Sequence, residues 1–559
     1  MSKNIIFIAF ICLSYSISFS QKHTIGLINI DNSKTFKGYN LIYPLDQSNL
    51  YLLDNCGRIV HTWPEASGSR PGTYAYLQAD GSVITTKRSA ITAGNPIFSG
   101  GAGGTVEKRA WDNTLLWTFT LNDSFSRLHH DIEPLPNGNI LMISWEKKTA
   151  AQAIAYGRNP AFVANGEIWP DKIIEVKPNG TNGSSIVWEW HLWDHLIQNF
   201  DSTKPHYGKP ANFLGKVDFN YGGVGSAKNW AFLNAISYNK ELDQIVVSAP
   251  SMNEIWIIDH STTTAEAATS TGGKSKQGGD LIFRWGNPAV YGSGTVANQK
   301  LAFQHDIHWI TENSADTNYG KLAVFNNRIN AKYSTVNFLK PVFDKTTWSY
   351  QKNGNIFLPS NYDWSYKRPD SSAMNSQIIS SVQRLPNGNT LICSGQQGYT
   401  FEITPSNEIV WEYVTPVKSG AVASQGDSIK LGENNTFRVK RYGLDFVGFI
   451  GKNLSPKGFI ELKPDTSFCQ ISASIGKITQ SKSIKLYPNP ANNTFNIEIV
   501  NNEVPLSNLA IYSITGKLIF KGTYANQGKT EIDLSNIPSG FYFVSINNHS
   551  IYQKLEIKH

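Results

Sequence analysis

One pattern recurs along most of the chain and limits what it can fold into: an apolar run, an Asx-Gly turn and a second apolar run. It is clearest at residues 73–82 (TYAYLQADGS), 130–139 (HDIEPLPNGN) and 380–389 (SSVQRLPNGN), followed by VITT, ILMIS and TLICS. Asn, Asp and Gly tolerate the positive φ of a tight turn, so each copy predicts a β-hairpin. Looser copies with longer turns start at Phe232 and His305. Each hairpin is followed by a second strand pair that tends to end in a tryptophan-bearing strand, around Trp117, Trp188, Trp285 and Trp411. Four strands per unit, repeated with irregular insertions, is the signature of a β-propeller. An earlier pair at 50–53 and 58–63 (RIVHTW) brings the expectation to about six blades, with the ring closed by joining N-terminal strands to C-terminal ones. A helical-looking stretch at 193–200 (WDHLIQNF) is placed as an insertion that caps the channel mouth.

Composition agrees with an all-β chain. Aromatic residues make up 12% and charged residues only 17%, a balance that favours strands over disorder. The net charge of +7 is spread without a basic run, which argues against a nucleic-acid partner. Residues 1–20 read as a secretory signal peptide: Lys3, an apolar stretch from Ile5 to Leu13, then small residues Ser18 and Ser20. No later segment is apolar and long enough to span a bilayer, so no transmembrane segment is expected after the signal. The propeller is assigned to 21–463, a Ser- and Lys-rich linker to 464–483, and a small immunoglobulin-like β-sandwich of about seven short strands to 484–559. Cys56, Cys393 and Cys469 remain beyond the signal, allowing at most one disulfide of open pairing and no metal pattern. No cofactor is expected.

The last unit resembles the type A C-terminal sorting domain of the type IX secretion system of Bacteroidetes, through 486–492 (LYPNPAN), 511–517 (IYSITGK), 534–542 (LSNIPSGFY) and the closing 554–558. That resemblance implies export through the periplasm and outer membrane, with the secretion machinery as partner and a secreted or surface location. The propeller resembles the bacterial arylsulfate sulfotransferases through 100–106 (GGAGGTV), 129–139 (HHDIEPLPNGN), 188–198 (WEWHLWDHLIQ), 253–262 (NEIWIIDHST), 278–288 (GGDLIFRWGNP) and 304–306 (QHD). It implies transfer of a sulfuryl group from a phenolic sulfate ester to a phenol, with a transiently sulfated histidine at His305 and an assisting one at His130.

The repeats place Thr73, His130, Phe232, His305 and Ser380 at one equivalent register, so two His-Asp pairs, His130-Asp131 and His305-Asp306, are expected to meet at the channel mouth. A neutral imidazole can attack sulfur and a protonated one can donate to a leaving phenolate, with Asp131 and Asp306 positioned to fix the rings. Asn234 and Phe232 are further candidates for contact with substrate. The chain departs from the family pattern twice: Phe232 stands where a histidine is expected, and Pro250 where an arginine is expected. One oxyanion donor contributes roughly 3–4 kcal/mol, so these losses are expected to impair the reaction severely unless Lys87, Arg88 or Lys228 brings a cation to the mouth. The competing reading is a non-catalytic extracellular propeller that binds an aromatic, glycan or protein ligand, favoured by the Phe232 ring.

Overall fold

The computed structural model describes residues 23–66, 68–91, 94–466, 469, 484–499, 506–513, 518–526, 529–546 and 551–559. The expected signal peptide and most of the linker lie outside the described residues.

Six antiparallel sheets, five of four strands and one of five, carry the first unit among the described residues. Blade 1 combines Thr436–Gly443, Gly38–Pro44, Leu50–Asp54 and Ile59–Trp63, and blade 2 runs from Pro71–Leu77 to Leu115–Thr120. Blade 3 holds Ser126–Pro134, Ile140–Glu146, Asp171–Asn179 and Gly183–His191; blade 4 runs from Ala235–Asn239 to Phe283–Trp285. Blade 5 joins His305–Trp309, Leu322–Asn326, Thr335–Leu339 and Trp364–Tyr366; blade 6 runs from Ser381–Arg384 to Ile409–Val414 and takes Gly26–Ile30 as a fifth strand. The ring therefore closes twice with strands from opposite ends of the unit, as the sequence predicts.

The three Asx-Gly hairpins fold alike. Gly81, Gly138 and Gly388 have φ of +80°, +87° and +88°. The Asx side chain caps the backbone N–H two residues on in each turn, Asp80 to Ser82, Asn137 to Asn139 and Asn387 to Asn389. This is the local device by which Asx residues fix a turn.

The recurring tryptophans latch one blade to the next. The indole N–H of Trp63 donates to the Ala110 carbonyl, Trp117 to Gly183, Trp188 to the Thr262 hydroxyl, Trp285 to Pro359 and Trp411 to Asn55. Each ring buries its apolar body between blades while the polar edge is satisfied across the seam. Trp411 to Asn55 joins blade 6 to blade 1, so the last latch closes the ring. Separate apolar cores fill the seams, such as Leu41, Trp63, Tyr74 and Leu77 between blades 1 and 2.

Cys56, in the turn of blade 1, pairs with Cys469, while Cys393 is free and buried in blade 6. The stretch expected to be helical at 193–200 is instead a single 3-10 turn, Leu192–His195, followed by Leu196–Ile197, which pairs in parallel with Val217–Asp218. Burial of Trp193 and His195, with His195 Nδ1 on Asp280 at 2.8 Å, overrides the helical pattern.

The C-terminal unit is a sandwich of a three-stranded and a four-stranded sheet. Phe495, Ile497, Leu509, Ile511, Ile532, Val544 and Leu555 form its core. No helix among the described residues is long and apolar enough to cross a membrane.

Candidate functional site

Within or just before the innermost strands of blades 3 to 6 the backbone enters a region that side chains other than glycine adopt at a cost. His130, Phe232, Phe303, Asp306, Ile379 and Ser380 have φ of +49°, +62°, +52°, +57°, +51° and +94°. Such a concentration marks a place where surrounding structure over-determines the backbone. It coincides with the register at which the two histidines are expected.

His130 and His305 both lie there, almost wholly buried. An aromatic chain joins them. The His130 ring stands edge-on to Phe232 with centroids 4.7 Å apart, Phe232 lies 6.2 Å from Phe303, and Phe303 lies 6.0 Å from His305. Burial first, then the charges of His129 and His305, holds the His130 pKa well below its ordinary value.

The two aspartates do not orient the histidines, which corrects the sequence expectation. Asp131 and Asp306 grip Arg438, from the strand that closes the ring: Arg438 Nη2 is 2.8 Å from Asp131 and Nε is 2.6 Å from Asp306. Asp131 Oδ2, the oxygen that meets Nη2, also accepts the Ile236 N–H, and Asp306 Oδ2 accepts the Val382 N–H, both from the next inner strand. Tyr76 adds its hydroxyl to Asp131 and receives a bond from Arg438. The carboxylates thus hold an arginine of the ring-closing strand rather than the imidazoles.

Other groups orient the rings. Asn327 donates through Nδ2 to the Ser376 and Ile379 carbonyls at 2.8 and 2.7 Å. Its Oδ1 must then face His305 Nδ1, 2.9 Å away, so Nδ1 carries the proton. The lone pair sits on Nε2, where it accepts a long 3.2 Å bond from the Ile379 N–H. For His130 the partner is the preceding residue: the two Nδ1 atoms of His129 and His130 are 2.9 Å apart, and His129 Nε2 is 3.1 Å from Asp171. His129 stacks on Trp145 at 4.0 Å. Burial pushes the Asp171 carboxyl up to about 8. Asp171 also accepts the Phe232 and Leu233 N–H groups.

Asn234 is fully buried and donates to the Gln304 carbonyl, tying blade 4 to blade 5 rather than facing the mouth. Lys87 is clasped by Glu65 and Glu107 and, with Arg88, lines a separate cleft of about 570 Å³. Lys228 pairs with Glu167. None of the three supplies the expected cation. Pro250 lies in the turn that leaves Gln244–Ala249. Sequence reasoning missed Arg438, Asn327, His129 and Asp171; the doubled histidine of HHD was the one visible hint. No group of three or more His, Cys, Asp or Glu that could hold a metal occurs among the described residues.

Burial, opposed by Asn327, pushes the His305 pKa down to about 4. A depressed value means that its contribution to stability is present above the ordinary value of 6.5 and is lost as pH falls towards 4. Urea unfolding at pH 6.5 and pH 4 is therefore expected to show a larger loss for the wild type than for His305→Gln. Parallel losses would mean that His305 is protonated in the folded state.

Fold and site together define a β-propeller with two buried histidines on its inner strands. A family model for Arylsulfotransferase (ASST) matches residues 114–424, and one for a secretion system C-terminal sorting domain matches 485–558. The chain belongs to the arylsulfotransferase family and carries a type IX sorting domain that directs it to the cell surface or the exterior. No curated protein matches the chain. Among solved structures it is similar to a protein of unknown function from Bacteroides caccae, at 12% identity over 73% of this chain and 99% of that one, with a TM-score of 0.37. A virginiamycin B lyase from Staphylococcus aureus gives 11% identity over 75% and 99%, with a TM-score of 0.33. Likeness at this level says nothing about activity.

Proposed function

We propose that this exported protein transfers a sulfuryl group from a phenolic sulfate ester to a phenol, with His305 as nucleophile. The observation that supports this best is the tautomer that Asn327 imposes: a neutral imidazole with its lone pair on Nε2, kept unprotonated across the neutral range by burial. Nε2 displaces its weak bond to the Ile379 N–H and attacks sulfur. The N–S bond forms as the sulfur–oxygen bond to the aryl group breaks, and the departing phenolate takes a proton that passes from the Asp171 carboxyl through His129 and His130. An acceptor phenol then returns its proton to His130 as its oxygen takes the sulfuryl group, restoring His305. Phe232 and Pro250, where a histidine and an arginine are expected, make this a slow enzyme, and Phe232→His with Pro250→Arg is the variant that raises its rate if the site has decayed.

The test is incubation with 4-nitrophenyl sulfate and phenol, following 4-nitrophenol release and phenyl sulfate formation, with mass spectrometry of peptides containing His305. Transfer with a sulfated His305 peptide is expected. Absence of product leaves the second reading, a binding propeller, which the aromatic surroundings of Phe232 favour. That reading requires salt-insensitive binding of neutral aromatics.

The glycine-rich loop over His130 supplies a sharper check. A Cβ at Gly101, whose φ is +74°, would lie 2.2 Å from His130 Nε2, whereas one at Gly100 would meet only Phe232 at 3.7 Å. Gly101→Ala is expected to displace the ring and reduce transfer about 100-fold, the effect of roughly 1 Å of misplacement. Gly100→Ala should stay within about twofold, and equal effects would remove His130 from the reaction.

A further inference from the structure

Arg328 directly follows Asn327, the residue that fixes His305, and its guanidinium carbon lies 3.6 Å over the Phe303 ring. Its backbone N–H is tied to the Ala302 carbonyl and its Nε to the Gln377 carbonyl at 2.9 Å. These bonds and the ring beneath hold the planar group in place, while Nη1 and Nη2 have no acceptor and no acidic partner among the described residues. Its charge is felt at His305, whose pKa it helps to lower. The other cation at the mouth, Arg438, is already spent on Asp131 and Asp306.

A stacked arginine with both terminal nitrogens free is a fork suited to a tetrahedral oxyanion. Phe303 and Phe232, 6.2 Å apart, provide apolar faces next to it. We propose that Arg328 is the anion-holding residue of the mouth: its two Nη groups grip sulfate oxygens of an aryl sulfate monoester whose ring rests against Phe303 and Phe232. The inference deepens the sulfuryl-transfer reading and takes from it the ester as ligand. It also supplies from blade 5 the cation that Pro250 cannot provide in blade 4.

The test is binding of 4-nitrophenyl sulfate and of neutral 4-nitroanisole by calorimetry to wild type, Arg328→Met and Arg328→Lys, each with its melting curve. Arg328→Met is expected to weaken the sulfate about 10- to 100-fold, the range for charge-assisted bonds, and to leave 4-nitroanisole within about twofold. Arg328→Lys should fall between, since it keeps the charge and loses the fork. Unchanged sulfate binding in Arg328→Met, equal loss of both ligands, or no sulfate binding by the wild type would overturn the proposal. Should the methionine variant fail to fold, full sulfate affinity in the lysine variant would overturn the fork. Arg328-dependent binding without turnover would sink the transfer reading alone, and transfer at full kcat/KM in Arg328→Met would sink the arginine alone.

Discussion

Replacing Arg438 with methionine is expected to destabilise the propeller by about 3–5 kcal/mol, the usual consequence of removing one partner from a buried ion cluster. The side chain is 11% exposed and touches two carboxylates that are more deeply buried still. Without it Asp131 and Asp306 face the same channel unpaired, and their mutual repulsion is no longer screened. Tyr76 also loses its donor. The strand that carries Arg438 closes the ring, so the damage falls where the two ends of the unit meet. Adding Asp131→Asn and Asp306→Asn should recover part of the loss at pH 7. Urea unfolding measures all of these, and an unchanged midpoint for Arg438→Met would show that the cluster does not hold the ring together.

His305→Ala is expected to lower transfer by at least about a thousand-fold, because a covalent route loses its nucleophile rather than one of several helpers. The sulfated peptide should vanish with it. His130→Ala should behave differently. A proton carrier contributes typically 10²–10⁴-fold, and its absence matters most when the leaving group is a strong base. The variant should lose far more activity on phenyl sulfate than on 4-nitrophenyl sulfate, whose phenolate departs without help. Equal losses on the two donors would assign His130 a structural role in the seam with Thr73, whose hydroxyl donates to its carbonyl. Retention of transfer by His305→Ala would end the covalent mechanism.

The amino-acid sequence by itself determined the strands and the hairpins. Those features follow from local rules: Asx-Gly turns at Gly81, Gly138 and Gly388 require only the residues of the turn, and alternation within a strand is set by its own pleat. The tryptophan copies were visible too, although their purpose, an indole bond to the neighbouring blade, was not. Sequence also singled out His130 and His305, and the fold buries both on inner strands.

Tertiary structure alone decided the partners. Arg438 meets Asp131 across 307 residues of chain, Asn327 and Ile379 converge on one imidazole from two blades, and Cys56 finds Cys469 at a separation of 413. Charge at a sequence position does not reveal where it is spent: Lys87 goes to Glu65 and Glu107 in a side cleft, while Arg328 is left at the mouth with a free fork. Blade closure brings together residues that no local rule relates, and burial then fixes which of them are neutral, which are paired and which remain open to a ligand.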